Sequence, residues 1–275
     1  MRQTVLRTVK KIVSLNPAVF SVPLKIAGQR FNIPIIGRLG WENLLVRGRE
    51  TWLDPMLERW NDESGAFVDV GCHMGQTLLK VKSLTKGQLY IGFEPNPTCL
   101  FYLSRLIEKS LLDKVVLFPC GLSDASGIKT LYGCKDTDSS ASIIEGFREG
   151  MWYSNTKKVA VFKGDDVLSG IEAYKISFIK IGVEGAELDV IKGLIGTISV
   201  HRPTVVCEVL PFYSTERENG KFRLSRQEEL ESILNGLEYD IYKISRSGTV
   251  HRIDHIGVHA EVSESDYLFL PKENH

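Results

Sequence analysis

Short apolar runs recur along the chain, each closed by glycine or proline and followed by a stretch with helical spacing. Ala66-Phe67-Val68-Asp69-Val70 ends at Gly71, and residues 75–84 then follow a helical pattern. Gln88 to Glu94 is stopped by Pro95 and Pro97, residues 98–110 read as a second helix, and Val115 to Phe118 as a third strand. Strands alternating with helices of this length predict parallel βαβ units with helices on both faces of the sheet. The rhythm resumes at Ser177 to Ile181, a helix over 186–195, and the buried run Pro203 to Val209. A helix over 227–235 and two closing, antiparallel strands, Tyr239–Ile244 and Asp266–Leu270, complete the pattern.

Two regions break this regularity. Residues 128–133 and 158–162 could pair as strands, and between them lies a Ser-, Asp- and Gly-rich segment. A loop of this length inside a compact domain suits a functional lid, so residues 134–157 are assigned as a lid or substrate loop. Residues 1–49 carry nine basic side chains and one acid, a charge of +8 balanced by −8 in the remainder. Val5, Leu6, Val9, Ile12 and Val13 recur there at helical spacing between Arg2, Arg7, Lys10 and Lys11. The segment is read as an N-terminal helical extension, 1–49, ahead of a single catalytic domain, 50–275. Its first 20 residues either dock on that domain or lie on an anionic membrane face.

Composition narrows the class. With 43% apolar and 25% charged residues, the chain is an ordinary globular one. Thirty-four basic residues against 34 acidic ones give no push toward nucleic acid. Five scattered cysteines without a Cys-x-x-Cys pair suit reduced thiols in a cytoplasmic protein, with neither disulfides nor a metal site expected. His251, His255 and His259 share an i, i+4 spacing, but Gly248 and Gly257 around them favour a hairpin over a metal-binding helix.

The informative constellation is Asp69-Val70-Gly71-Cys72-His73-Met74-Gly75, with Glu94 closing the next strand 19 residues further on. A glycine loop between strand and helix lets a ligand approach the backbone, and an acid ending the next strand accepts both ribose hydroxyls. A dinucleotide would want a third glycine at position 78, which is Leu78. Asp69, read at the mouth of the loop, would also repel a diphosphate and attract the cationic S-adenosylmethionine. A nicotinamide or flavin dinucleotide, or no cofactor at all, are the alternatives, and Asp69 could instead cap the turn.

Several segments together resemble the FkbM family of methyltransferases. They are Phe67 to Gly71, Phe93-Glu94-Pro95-Asn96-Pro97, Gly121-Leu122-Ser123-Asp124 with Gly127, and Ile179-Lys180-Ile181-Gly182-Val183-Glu184-Gly185-Ala186-Glu187. Arg202-Pro203 with Cys207-Glu208 and the closing Asp266 to Pro271 follow in the same order. The resemblance covers residues 50–271. It implies a class I, Rossmann-like α/β fold of seven strands, with S-adenosylmethionine as cofactor. It also implies methyl transfer, usually to a hydroxyl of a glycan, sugar or other small-molecule natural product. On that basis the cofactor would meet Asp69, Gly71, His73, Gly75, Glu94 and Asn96, with Gly121 and Leu122 beside the adenine. One departure stands out: Gly182 replaces the family's aspartate.

An alcohol needs a base within hydrogen-bond reach. With position 182 empty, Glu184 is the first candidate and Glu208 the second, each with a helix-charge or strand-end alternative. Lys180, the third catalytic candidate, is expected to pair with a nearby carboxylate. Loss of the aspartate also admits a protein that binds the cofactor without turnover. Trp152-Tyr153 could stack on a sugar or cover the core.

Overall fold

The computed structural model describes residues 19–147, 153–171, 175–211, 218–258 and 265–274. Residues 1–18 of the 20 expected to dock on the domain or on a membrane face, together with Trp152 and His259, lie outside them. The main sheet is built from β3 (Ala66–Val70), β4 (Tyr90–Phe93), β5 (Val115–Phe118), β9 (Ile176–Ile181), β10 (Thr204–Glu208), β11 (Tyr239–Ile244), β12 (Val250–Ile253) and β13 (Asp266–Pro271). Their spatial order is β12-β11-β13-β10-β9-β3-β4-β5. Strands β5, β4, β3, β9 and β10 run parallel, while β13 enters antiparallel between β10 and β11. Seven of these are the expected strands, with the closing pair antiparallel; β12 adds an eighth as a hairpin on β11 and carries His251. A smaller sheet, β6 (Gly121–Ser123), β8 (Asn155–Lys163) and β7 (Gly127–Gly133), flanks the main one, so the two middle segments do pair.

Strand alternation divides the core. Ala66, Val68 and Val70 of β3, with Ile179 and Ile181 of β9, face helices α5 (Glu187–Gly193), α6 (Ile195–His201) and α7 (Glu218–Gly236). The expected 186–195 helix thus breaks at Leu194 into α5 and α6. Phe67, Tyr90, Phe178, Val206, Leu268 and Leu270 point to the opposite face. There they meet α1 (Leu53–Trp60), α2 (Gln76–Leu84) and α3 (Pro97–Ser110), while α4 (Gly164–Leu168) is a short turn after β8. By the same parity Asp69, Lys180, Glu208 and Asp266 lie on that second face, at the carboxyl end of the central parallel strands.

The helical extension is corrected from residue 19 onward. β1 (Val19–Ile26) and β2 (Gln29–Ile36) form an antiparallel hairpin, and Glu42–Gly48 is a single 3₁₀ helix. Ala27 and Gly28 turn the hairpin with φ of 42° and 85°, the left-handed pair whose twist matches that of the strands. Phe31, Ile33 and Ile35 alternate onto one side and pack with Trp41 and Val46 over Leu79, Tyr102 and Leu106 of α2 and α3. Asn32 exchanges hydrogen bonds of 3.1 Å with Ser110, and the wholly buried Asn43 donates to the Met74 carbonyl at 2.7 Å. The segment therefore shares the domain's core and supports the glycine loop from behind.

Candidate active site

β3 ends at Val70, and the chain turns at Gly71 with φ 86°. A Cβ there would lie 2.1 Å from the Gly182 carbonyl oxygen, so only glycine lets the turn pack against the end of β9. Gly75, φ 82°, starts α2; its missing Cβ makes room for Leu103 and Leu106 of α3. Gly75 is thus a packing glycine and does not reach the cavity, correcting its assignment as a cofactor contact.

A cavity of about 200 Å³ opens above the carboxyl ends of β3, β4 and β9, where open α/β sheets hold their ligands. Gly71, Cys72 and His73 form one side, and Glu94, Pro95 and Asn96 the next. Gly121 and Leu122 of β6 lie there too, with Lys180, Gly182, Glu184 and Glu208 opposite. Asp138, Ser139, Ala141 and Ile143, from the segment assigned as the lid, complete the wall.

Glu94 is held rigidly. Its Oε2 accepts the His73 N–H and its Oε1 the Asn96 N–H, both at 2.8 Å. Burial nonetheless raises its pKa to about 7, because the two amide bonds offset only part of the desolvation. Each oxygen keeps a further lone pair for a donor from the cavity. His73 sits at φ 44°. Burial holds its imidazole below the ordinary value, and its Nε2 is buried without a hydrogen-bond partner. Asn96 lines the cavity, but its amide is already committed. It caps α3 by accepting from Thr98 N at 3.1 Å, accepts from Lys157 Nζ at 3.0 Å, and donates to the Asp136 carbonyl at 2.6 Å. Asp136 also takes the Thr98 hydroxyl at 2.8 Å and pairs with Lys157, tying the 134–147 segment to the start of α3.

Asp69 requires a larger correction. It is fully buried in β3, off the cavity wall, accepts the Tyr90 hydroxyl at 2.5 Å, and lies 4.0 Å from Lys180 Nζ. The strand extends one residue past it, so parity turns its side chain under the sheet's upper face. It therefore anchors Lys180. Burial would lower the Lys180 pKa, but Glu50, Asp69, Glu208 and Asp266 together outweigh it and keep the ammonium charged, above its ordinary value. The acidic character first ascribed to Asp69 is supplied instead by Glu50, Glu94, Asp138, Glu184 and Glu208. Glu50 and Asp266 went unnoticed as site residues. Glu50 enters from the turn between the 3₁₀ helix and α1, and Asp266 pairs in register with Glu208, its carboxyl raised to about 8 by burial and by that neighbour. Glu187, in contrast, folds back to accept the Gly185 N–H at 2.8 Å at the start of α5.

At position 182 a Cβ would sit 2.7 Å from Lys180 Nζ. The lysine end group thus occupies the space beside the missing side chain.

The family model for the methyltransferase FkbM domain matches residues 69–241. The chain belongs to the FkbM methyltransferase family. Membership makes it a methyltransferase and implies S-adenosylmethionine as its methyl donor. The donor fits the residues present: a fixed carboxylate at the end of β4, a glycine turn without Cβ, an unpartnered buried imidazole nitrogen and an acid-lined wall. The FkbM chain is 25% identical over 206 residues to the methyltransferase sdnD of Sordaria araneosa, covering 64% of this chain and 78% of that one. It is 29% identical over 143 residues to methyltransferase 1 of Beauveria bassiana, covering 46% of this chain and 57% of that one. Among solved structures, an FkbM methyltransferase of Methylobacillus flagellatus is 19% identical with a TM-score of 0.46, over 75% of this chain and 44% of that one.

Proposed function

We propose that this FkbM protein transfers the methyl group of S-adenosylmethionine to a hydroxyl of a sugar, glycan or small natural product. The observation that carries the reading is Glu94, a carboxylate fixed by two backbone amides on the wall of the cavity that also holds the glycine turn. Two ribose hydroxyls are the donors this carboxylate is built to accept, with Gly71 and His73 beside it and Gly121 and Leu122 as the adenine contacts. When bound, S-adenosylmethionine supplies an electrophilic methyl group on sulfur. Glu184 is the first candidate to take the acceptor's proton at its carboxylate oxygen, and Glu208 the second; both line the cavity. Lys180 is a positioning residue: held charged by Glu50, Asp69, Glu208 and Asp266, it orders the carboxylates around it. Residues 134–147 exclude water from one side, and contact of residues 1–20 with an anionic membrane face, from a cytoplasmic location, belongs to the same reading. Calorimetric titration with S-adenosylhomocysteine (SAH), followed by transfer of labelled methyl to neutral sugars, tests it; no SAH heat at millimolar concentration overturns it.

A second reading, cofactor binding without turnover, is favoured by Gly182. Gly182→Asp would place a carboxylate against the flexible end of Lys180, so the variant is accommodated as an ion pair. Methyl transfer that appears only in this variant supports the second reading, whereas transfer by the native chain rules it out.

A further inference from the structure

Two groups of charged side chains line the cavity. One is organised around Glu94, whose oxygens are held by the loop amides. The other gathers at Lys180: Glu50, Glu184 and Glu208 on the wall, with Asp69 and Asp266 beneath. Glu50 lies outside residues 69–241, the segment matched to the family. Among the described residues its carboxylate forms no hydrogen bond or ion pair of its own, yet it is the strongest of the charges holding Lys180 ionised. Three non-glycine residues with left-handed backbone, Glu50 (φ 42°), His73 (φ 44°) and Glu184 (φ 55°), line this same cavity. L residues hold that conformation only where their surroundings enforce it, and such positions concentrate at functional sites. The buried, unpartnered Nε2 of His73 marks the cavity as shaped for a ligand beyond these acids.

The wall around Lys180 carries the carboxylates of Glu50, Glu184 and Glu208, of which Glu50 enters from outside the matched segment. The ammonium is already 4.0 Å from Asp69, with Asp266 close enough to act on it, so it is a poor anchor for a further anion. A bound acceptor on this wall meets the Glu50 carboxylate, whose charge favours a cation and opposes an anion.

We propose that the residues around Lys180 form the acceptor subsite, that it admits uncharged and amine-bearing acceptors while excluding anionic ones, and that Glu50 is its specificity-determining residue. The proposal rests on the methyltransferase reading above and deepens it.

One sugar ring at three charges tests it: glucosamine, methyl glucoside and glucuronate, titrated by ligand-observed NMR into SAH-saturated protein and into Glu50→Gln. The expected order is glucosamine tightest and glucuronate weakest. Glu50→Gln should narrow that spread by about tenfold, the effect of roughly 1.4 kcal/mol of charge discrimination, with both proteins held saturated with SAH. Glucuronate binding as well as the others, an order unmoved in Glu50→Gln, or binding of none of the three overturns the subsite. Failure of SAH itself to bind is a separate result, which overturns the methyltransferase reading and this one with it. Thermal melting of both proteins confirms that the variant is folded.

Discussion

Glu94 offers the sharpest test because its surroundings fix both the size and the pH dependence of its effect. In the free protein, burial raises its pKa to about 7 from an ordinary 4.5. The ionised form is thus disfavoured on folding: the group is compatible with full stability below pH 4.5, and stability falls as pH rises toward and through 7. A difference of this size amounts to about 3 kcal/mol once the group is ionised. Ribose hydroxyls donating to the carboxylate favour its charged form, so SAH binding should draw the pKa down and release a fraction of a proton near pH 7. Affinity for SAH should then rise between pH 6 and 8, by at most tenfold per unit below the free-protein pKa. Glu94→Ala should weaken binding by about 1.5–3 kcal/mol, or 10- to 150-fold. Glu94→Gln is equally informative, since its amide NH₂ must face the N–H of His73 or of Asn96, leaving a buried donor unpaired at a cost of about 1–3 kcal/mol in stability. Calorimetry in two buffers of different ionisation enthalpy reads the proton count. A pH-independent dissociation constant with no proton release, together with an unaffected Glu94→Ala, would refute the placement of the ribose.

Two further predictions concern parts around the cavity. Lys180→Met leaves Asp69 buried without its cation and should destabilise the protein by about 3–5 kcal/mol in urea unfolding, with most of the loss recovered in the Lys180→Met, Asp69→Asn double variant; additive losses in the double variant would mean the two are not coupled. Deleting residues 1–18, which stops just short of β1, should abolish co-sedimentation with vesicles of anionic lipid while leaving the melting temperature near its native value; unchanged sedimentation removes the membrane contact from the proposed function.

How far the sequence could be read depended on whether a feature was local. The glycine turn at Gly71 and the acid at Glu94 sit at fixed offsets from strands that announce themselves, and both line the cavity. Asp69 was misplaced by a single residue of strand length. Counting alternation from Phe67 puts it on the Phe67 side, the same face as the Phe178 and Lys180 side chains of β9, where it belongs. The hairpin was hidden because Pro23 and Pro34 mask the alternation of its strands, and the helical spacing of residues 5–13 was extended too far; Ala27-Gly28 was the available signal. Nothing local could join Glu50 to Lys180, or Asp266 to Glu208. Those meetings follow from the order of strands and from the docking of a distant segment.

The position of β13 has a consequence for how the protein comes into being. Asp266–Pro271 is hydrogen-bonded between β10 and β11, which do not touch one another in the sheet. A chain emerging from the ribosome in order can assemble β5, β4, β3, β9 and β10, and separately the β11–β12 hairpin, but it has no means of joining them until those six residues have been made. Until then β10 shows an open edge beside Glu208, the kind of edge that invites pairing with another molecule. The cavity wall and the exposure to aggregation are therefore resolved by one late event, the insertion of a single strand into the middle of an otherwise finished sheet.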